Sequence, residues 1–300
     1  MSIEAAPRGG PDGTVEPTDP HAPVDVVAGD DDRAADDAAV PALTHRQILI
    51  VFSGLMLGMF LAALDQTIVG TALPTIVNSL HGLNHMSWVV TAYLLTSTIS
   101  TPLYGKLSDQ FGRKGVFQFA IVVFLIGSTL AGLSQNMPQL IAFRGIQGIG
   151  AGGLMAMAMT IIADVVSPRE RGRYQGYFGA VFALSSIAGP LLGGVFTTYL
   201  SWRWIFYINL PIGIVALVVT SAVLKLPFRR RAHRIDFLGA GLMMVGVTAA
   251  LLVTVWGGVQ YGWVSPEILG LGLVAVVFIA AFVVWEHFAC LLYTSPSPRD

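Results

Sequence analysis

The 300-residue sequence has one cysteine, Cys290, so it cannot form an internal disulfide. Charge is also scarce: Asp, Glu, Lys and Arg make up 12% of the chain, about half the usual share in soluble domains. No His/Cys/Asp/Glu cluster has metal-ligand spacing, and there is no Gly-Lys-Thr nucleotide loop or Ser-His-Asp arrangement, which argues against an enzyme or an ATP-driven pump. Apolar residues instead reach 54% with a mean hydropathy of +0.68, and they recur in runs of about twenty. Such runs predict an all-α polytopic membrane protein.

Eight apolar segments are expected to cross the bilayer: 47–73, 86–104, 115–134, 138–163, 174–200, 204–224, 237–257 and 266–286. Charge divides the chain. Residues 1–43 hold ten acidic and two basic side chains, and their Pro/Gly/Ala/Asp composition predicts a disordered acidic tail. The first apolar run starts near Ile48, too far from the N-terminus for a cleaved signal peptide. One set of loops carries Arg46, Lys106, Arg113, Lys114, Arg169, Arg171, Arg173, Lys225 and the Arg229 to Arg234 cluster, whereas the other has only Arg203. By the positive-inside rule, the N-terminus and the basic loops are expected in the cytoplasm. Trp88, Trp202, Trp204, Trp256 and Trp263 fall at the opposite ends and read as interfacial anchors, with Trp285 at an inner end. His81 and His85 in the first outer loop are assigned no role.

Between the second and third segments lies GKLSDQFGRKG, Gly105 to Gly115, read as a short polar loop with Lys106 among its charges. Gly105 and Gly112 would let the backbone turn, and Asp109 lies four residues before Arg113, within reach of a local ion pair. The order of glycines, aspartate and basic pair resembles the signature loop of major facilitator superfamily transporters. That resemblance assigns Gly105, Asp109, Gly112, Arg113 and Lys114 to a cytoplasmic gate.

Two charges interrupt the apolar runs. Asp65 lies about 25 Å along the first segment, and Arg144 lies about 9 Å below the outer end of the fourth, so the two share a depth. A buried ionisable group needs a partner or a wet cavity, and each residue here satisfies the other. Gln147 follows Arg144 on the same helical face. Gly145, Gly148 and Gly152 form a separate smooth strip suited to close helix contact. The fourth segment resembles the superfamily motif linked to proton movement, and Leu-Asp-x-Thr-Ile-Val around Asp65 resembles the drug:proton antiporter branch. By that resemblance Asp65 carries the coupled proton, and Arg144 and Gln147 tune and exchange with it. A structural ion pair is the plainer alternative.

In the fifth segment, Gly189 and Gly193 bracket Pro190 on a face suited to close packing. Together with Gly179 and Gly194, they resemble a motif associated with antiporters. SWRWIFYINLPIG, Ser201 to Gly213, and the Asp236–Leu238–Gly239 opening of the seventh segment resemble the 14-helix drug antiporters. The resemblance implies a six-helix N-terminal bundle over 44–225, made of two inverted three-helix repeats. A basic linker and two additional helices would occupy 226–289, with a C-terminal bundle missing.

The implied activity is proton-coupled efflux of drugs or antibiotics by alternating access in a bacterial inner membrane. Expected partners are an amphiphilic small molecule, protons and lipid, with no nucleic acid and no cofactor. A proton-linked uptake carrier for a nutrient or siderophore, or a receptor, would share some features. The last eleven residues, Cys290 to Asp300, resemble no transporter segment and match a translated sequencing adapter in one frame, so the natural sequence is expected to end near Ala289.

Overall fold

The computed structural model describes residues 45–166, 170–223, 237–258 and 260–293. The expected acidic tail, the Arg229 to Arg234 cluster and residues 294–300 lie outside them. The described chain is helical: α1 His45–Ser79, a 3-10 turn Leu83–His85, α2 Met86–Phe111, α3 Arg113–Leu133, α4 Met137–Val165, α5 Arg171–Tyr199, α6 Trp204–Tyr207, α7 Asn209–Val223, α8 Phe237–Trp256 and α9 Pro266–Tyr293.

All eight expected segments form helices, the sixth as α6 followed by α7. Seven spans are long and apolar enough to cross a membrane; α2 is not among them. Its 26 residues are long enough, but Thr91, Thr96, Ser97, Thr98, Ser100 and Thr101 dilute its hydropathy. Most of these hydroxyls bond back to carbonyls three or four residues earlier, as Thr96 does to Ala92 O at 2.8 Å, so they sit in the helix without unmet donors. α1 runs six residues past the expected end, through Pro74, because in a buried setting neighbouring helices tolerate the lost backbone bond. α9 likewise continues past Ala289 to Tyr293.

The stretch from Gly105 is a correction. It is not a loop: α2 continues through Phe111, and Gly105 lies inside the helix with open space where a Cβ would be. Only Gly112 breaks the helix, at φ 87° and ψ 140°, a conformation that L side chains avoid. Its N–H donates to Ser108 O and its carbonyl accepts from Val116, so one residue ends α2 and starts α3. α4 starts on Asn136, whose side chain accepts from Gln139 N at 3.0 Å while Gln139 accepts from Gln135 N, a reciprocal cap followed by Pro138.

Packing follows a repeat. α1 packs on α5 as α4 packs on α2, and α1 meets α7 as α4 meets α3. Exchanging the first three spans with the next three leaves these pairings unchanged, which is what two equivalent three-helix repeats require. α4 lies at the centre between α2 and α3. Gly148 and Gly152 face Tyr93 and Ser97 of α2, as the strip predicts. A second glycine seam, missed in the sequence, brings Gly150 against the Phe124 backbone and Gly127 of α3 against the Gln147 backbone. α8 and α9 pack mainly on each other, with Gly246 against Ile279, and α8 meets α2 where the Trp88 and Trp256 rings lie 5.3 Å apart. Trp202 is not an interfacial anchor: it is 7% exposed, packed in a buried apolar cluster edge-on to Phe206, with Arg203 over its ring.

Candidate functional site: a buried carboxylate network

Asp65 of α1 and Arg144 of α4 are 0% and 1% exposed and meet directly, Arg144 Nη1 donating to Asp65 Oδ2 at 2.5 Å. Arg144 also donates to Gln147 Oε1 at 2.8 Å, and Gln147 Nε2 donates to Asp65 Oδ1 at 2.8 Å. The three residues read from the sequence as one polar group thus close a hydrogen-bonded ring. The Arg144 guanidinium lies 4.1 Å over the Tyr93 ring, a cation–π contact, while Nε donates to Val89 O.

Two members were not foreseen. Asn209, the first residue of α7, donates to Asp65 Oδ1 at 3.1 Å and to Ser128 Oγ of α3 at 2.9 Å; Ser128 in turn donates to Phe206 O. Both are fully buried. The only sequence signal was an uncharged polar residue in the apolar run YINLPIG, which is weak by itself.

Burying two charges is expensive unless the remaining lone pairs and protons are satisfied. Asp65 meets that condition with three donors from two other helices. Chemically, such a group can hold a negative charge or accept a proton, and its partners can rearrange between the two states.

The other predicted sites lie elsewhere. At the Gly112 end, Asp109 and Arg113 form the expected i,i+4 pair at 3.4 Å, and Arg113 also ion-pairs with Asp164 at the end of α4, a partner the sequence did not reveal. Lys114 donates to Ser221 O of α7 at 2.7 Å, and Gln118 donates to its hydroxyl. On α5, Gly189 and Gly193 contact α1 at Thr67, Ile68 and Thr71, and Thr67 donates to Ser185 O at 2.9 Å, one turn before Pro190. Gly179 and Gly194 face open space and take no part in that contact. Among the described residues, no group of three or more His, Cys, Asp and Glu side chains is placed to hold a metal.

Residues 55–236 match the family model of the Major Facilitator Superfamily. The chain belongs to the major facilitator superfamily. It is 44% identical over 240 residues to the multidrug transporter protein MdtP of Bacillus subtilis (strain 168), covering 80% of this chain and 44% of that protein. It is 45% identical over 239 residues to multidrug resistance protein 3 of the same organism, covering 80% and 47%. The chain therefore spans about half the length of the curated relatives it matches. Among solved structures it is similar in fold to the human organic anion transporter MFSD10, with TM-score 0.57, 20% identity and coverage of 74% of this chain and 58% of that one. It is also similar to a D-xylose-proton symporter, with TM-score 0.52, 16% identity and coverage of 79% and 67%. This superfamily member is thus a multi-pass membrane protein of a transporter family rather than an enzyme.

Proposed function

We propose that this chain forms the N-terminal part of a proton-coupled exporter of drugs or antibiotics, with Asp65 as the residue that binds and releases the proton. The observation that carries the reading is the fully buried Asp65 held by Arg144 and Gln147. A carboxylate committed to packing alone would be better replaced by an apolar group, so retaining it with three donors favours a role in charge exchange. Protonation of Asp65 weakens its hold on Arg144, and the released guanidinium turns to Gln147, substrate or water.

Export is favoured over uptake by the relatives named as multidrug transporters and by the Gly189–Gly193 contact, which gives α5 a close sliding surface on α1. In this reading the Asp109–Arg113–Asp164 cluster is a cytoplasmic gate, the N-terminus lies in the cytoplasm of a bacterial inner membrane, and a second bundle beyond this chain completes the alternating-access cavity. No cofactor is required.

The test is Asp65→Asn in the intact transporter, with membrane levels measured in parallel. Proton-driven export of a cationic dye should fall to background while the protein remains in the membrane. Export at the parental rate would overturn the reading.

A further inference from the structure

We infer that Asn209, held in one orientation by Ser128, is a positioning residue that sets how tightly Asp65 holds its proton. The inference rests on the reading of Asp65 as the proton carrier, and it adds α3 and α7 to a site so far built from α1 and α4.

The orientation follows from the order of the hydrogen bonds. The Ser128 hydroxyl donates its only hydrogen to Phe206 O at 2.9 Å, so it presents only lone pairs to Asn209. The group facing it must then be the amide NH2, and the distances of 2.9 Å to Ser128 Oγ and 3.1 Å to Asp65 Oδ1 use both amide hydrogens. A reversed amide would set its carbonyl oxygen against a carboxylate oxygen and a hydroxyl lone pair. Asn209 is therefore a donor toward Asp65 and cannot accept from it.

This pose leaves Asn209 Oδ1 buried with no hydrogen-bond partner among the described groups. An orphaned acceptor destabilises the fold, and an apolar side chain would fill the position without that cost. What the pose supplies in return is a fixed donor that favours the ionised carboxylate. Among the described residues, the titratable groups facing Asp65 are Arg144 and Tyr93; α7 and α3 present the uncharged Asn209 and Ser128, and α5 meets α1 two residues further on, where Thr67 donates to the carbonyl of the uncharged Ser185. Because Asn209 opens α7, a displacement of α7 from α1 withdraws one of the three donors and tightens proton binding. A change of helix packing is thereby converted into proton uptake.

The experiment uses the intact transporter, purified into lipid vesicles and read by infrared spectroscopy. The protonated-carboxyl C=O band of Asp65 is isolated as the difference between the parent and its Asp65→Asn variant. In Asn209→Ala, the pH at which half of this band has formed should rise by about one unit, a tenfold tighter proton, since one hydrogen bond to a charged group is lost. Ser128→Ala keeps the amide and frees it to turn, so a smaller rise in the same direction is expected; this variant decides the matter if Asn209→Ala does not fold. Loss of packing alone would admit water and lower the half-point. An unchanged or lowered half-point in the folded variants overturns the inference. If the shifts appear but Asp65→Asn exports at the parental rate, the proton-coupling reading fails while the positioning by Asn209 stands.

Discussion

The central helix α4 is sensitive to single methyl groups, and three of its glycines allow that sensitivity to be measured against an internal control. A Cβ added at Gly148 would lie 2.9 Å from Tyr93 Cα, and one at Gly150 would lie 2.6 Å from Phe124 Cα; the Tyr93 carbonyl and the Phe124 N–H are closer still. Carbon contacts settle at about 3.5–4.0 Å, so α4 must move about 1 Å away from α2 or α3. Besides the Thr96 hydroxyl at Gly148, the obstacles include backbone atoms of Tyr93 and Phe124, which no rotamer change can clear. Overpacking of this kind costs about 1–3 kcal/mol. At Gly145 the nearest atom is Thr96 Cγ2 at 3.7 Å, an ordinary contact. There, alanine adds helix propensity of up to about 1 kcal/mol without a clash. Gly148→Ala and Gly150→Ala should therefore unfold several degrees below Gly145→Ala, at roughly 2–4 °C per kcal/mol for a chain of this size. The assay is thermal unfolding of purified protein in detergent, followed by tryptophan fluorescence. If the three variants unfold within a degree of one another, the reasoning from helix contact is refuted.

Arg203→Ala removes donors to Gly132 O at 2.7 Å and Ser134 O at 2.6 Å and uncovers Trp202, and should cost about 2 kcal/mol by the same assay, with Arg203→Lys recovering only part. Gly189→Leu places a branched side chain against Thr67 and the Ile68 backbone, so export should be lost while the protein still reaches the membrane. Normal export would show that the α1–α5 contact does not need to be close. Asp164→Asn should destabilise more than Asp109→Asn, because Arg113 bridges α3 to α4 through Asp164, whereas the exposed i,i+4 pair with Asp109 is worth about 0.3–0.5 kcal/mol. Equal effects in urea unfolding would contradict that ranking.

The residues legible in the sequence were those whose chemistry is costly in a membrane. Asp65 and Arg144 stand out because charges within apolar runs demand partners, and their matched depths anticipated the contact. Asn209 and Ser128 carry no charge, so nothing in composition separates them from the many hydroxyls and amides that simply bond to their own helix. Asp164 was hidden because acidic residues near helix ends are common, and its partner lies 51 positions earlier, across a helix pair that spacing cannot reveal. Gly105 was misread as a turn because glycine permits one without requiring it; the intervening Lys-Leu-Ser-Asp-Gln-Phe keeps the helix going until the positive φ at Gly112. The helices were visible as apolar runs, with α2 the one diluted by hydroxyl residues, but the end of α1 was not, since Pro74 signals a stop in water and is tolerated among packed helices.

The most direct test of the central claim is proton release on substrate binding. The intact transporter would be titrated calorimetrically with an exported drug in two buffers of different ionisation enthalpy. The account predicts release of about one proton per drug bound in the parent and none in Asp65→Asn. Equal heats in the two buffers for the parent, or the same proton release in Asp65→Asn, would contradict it.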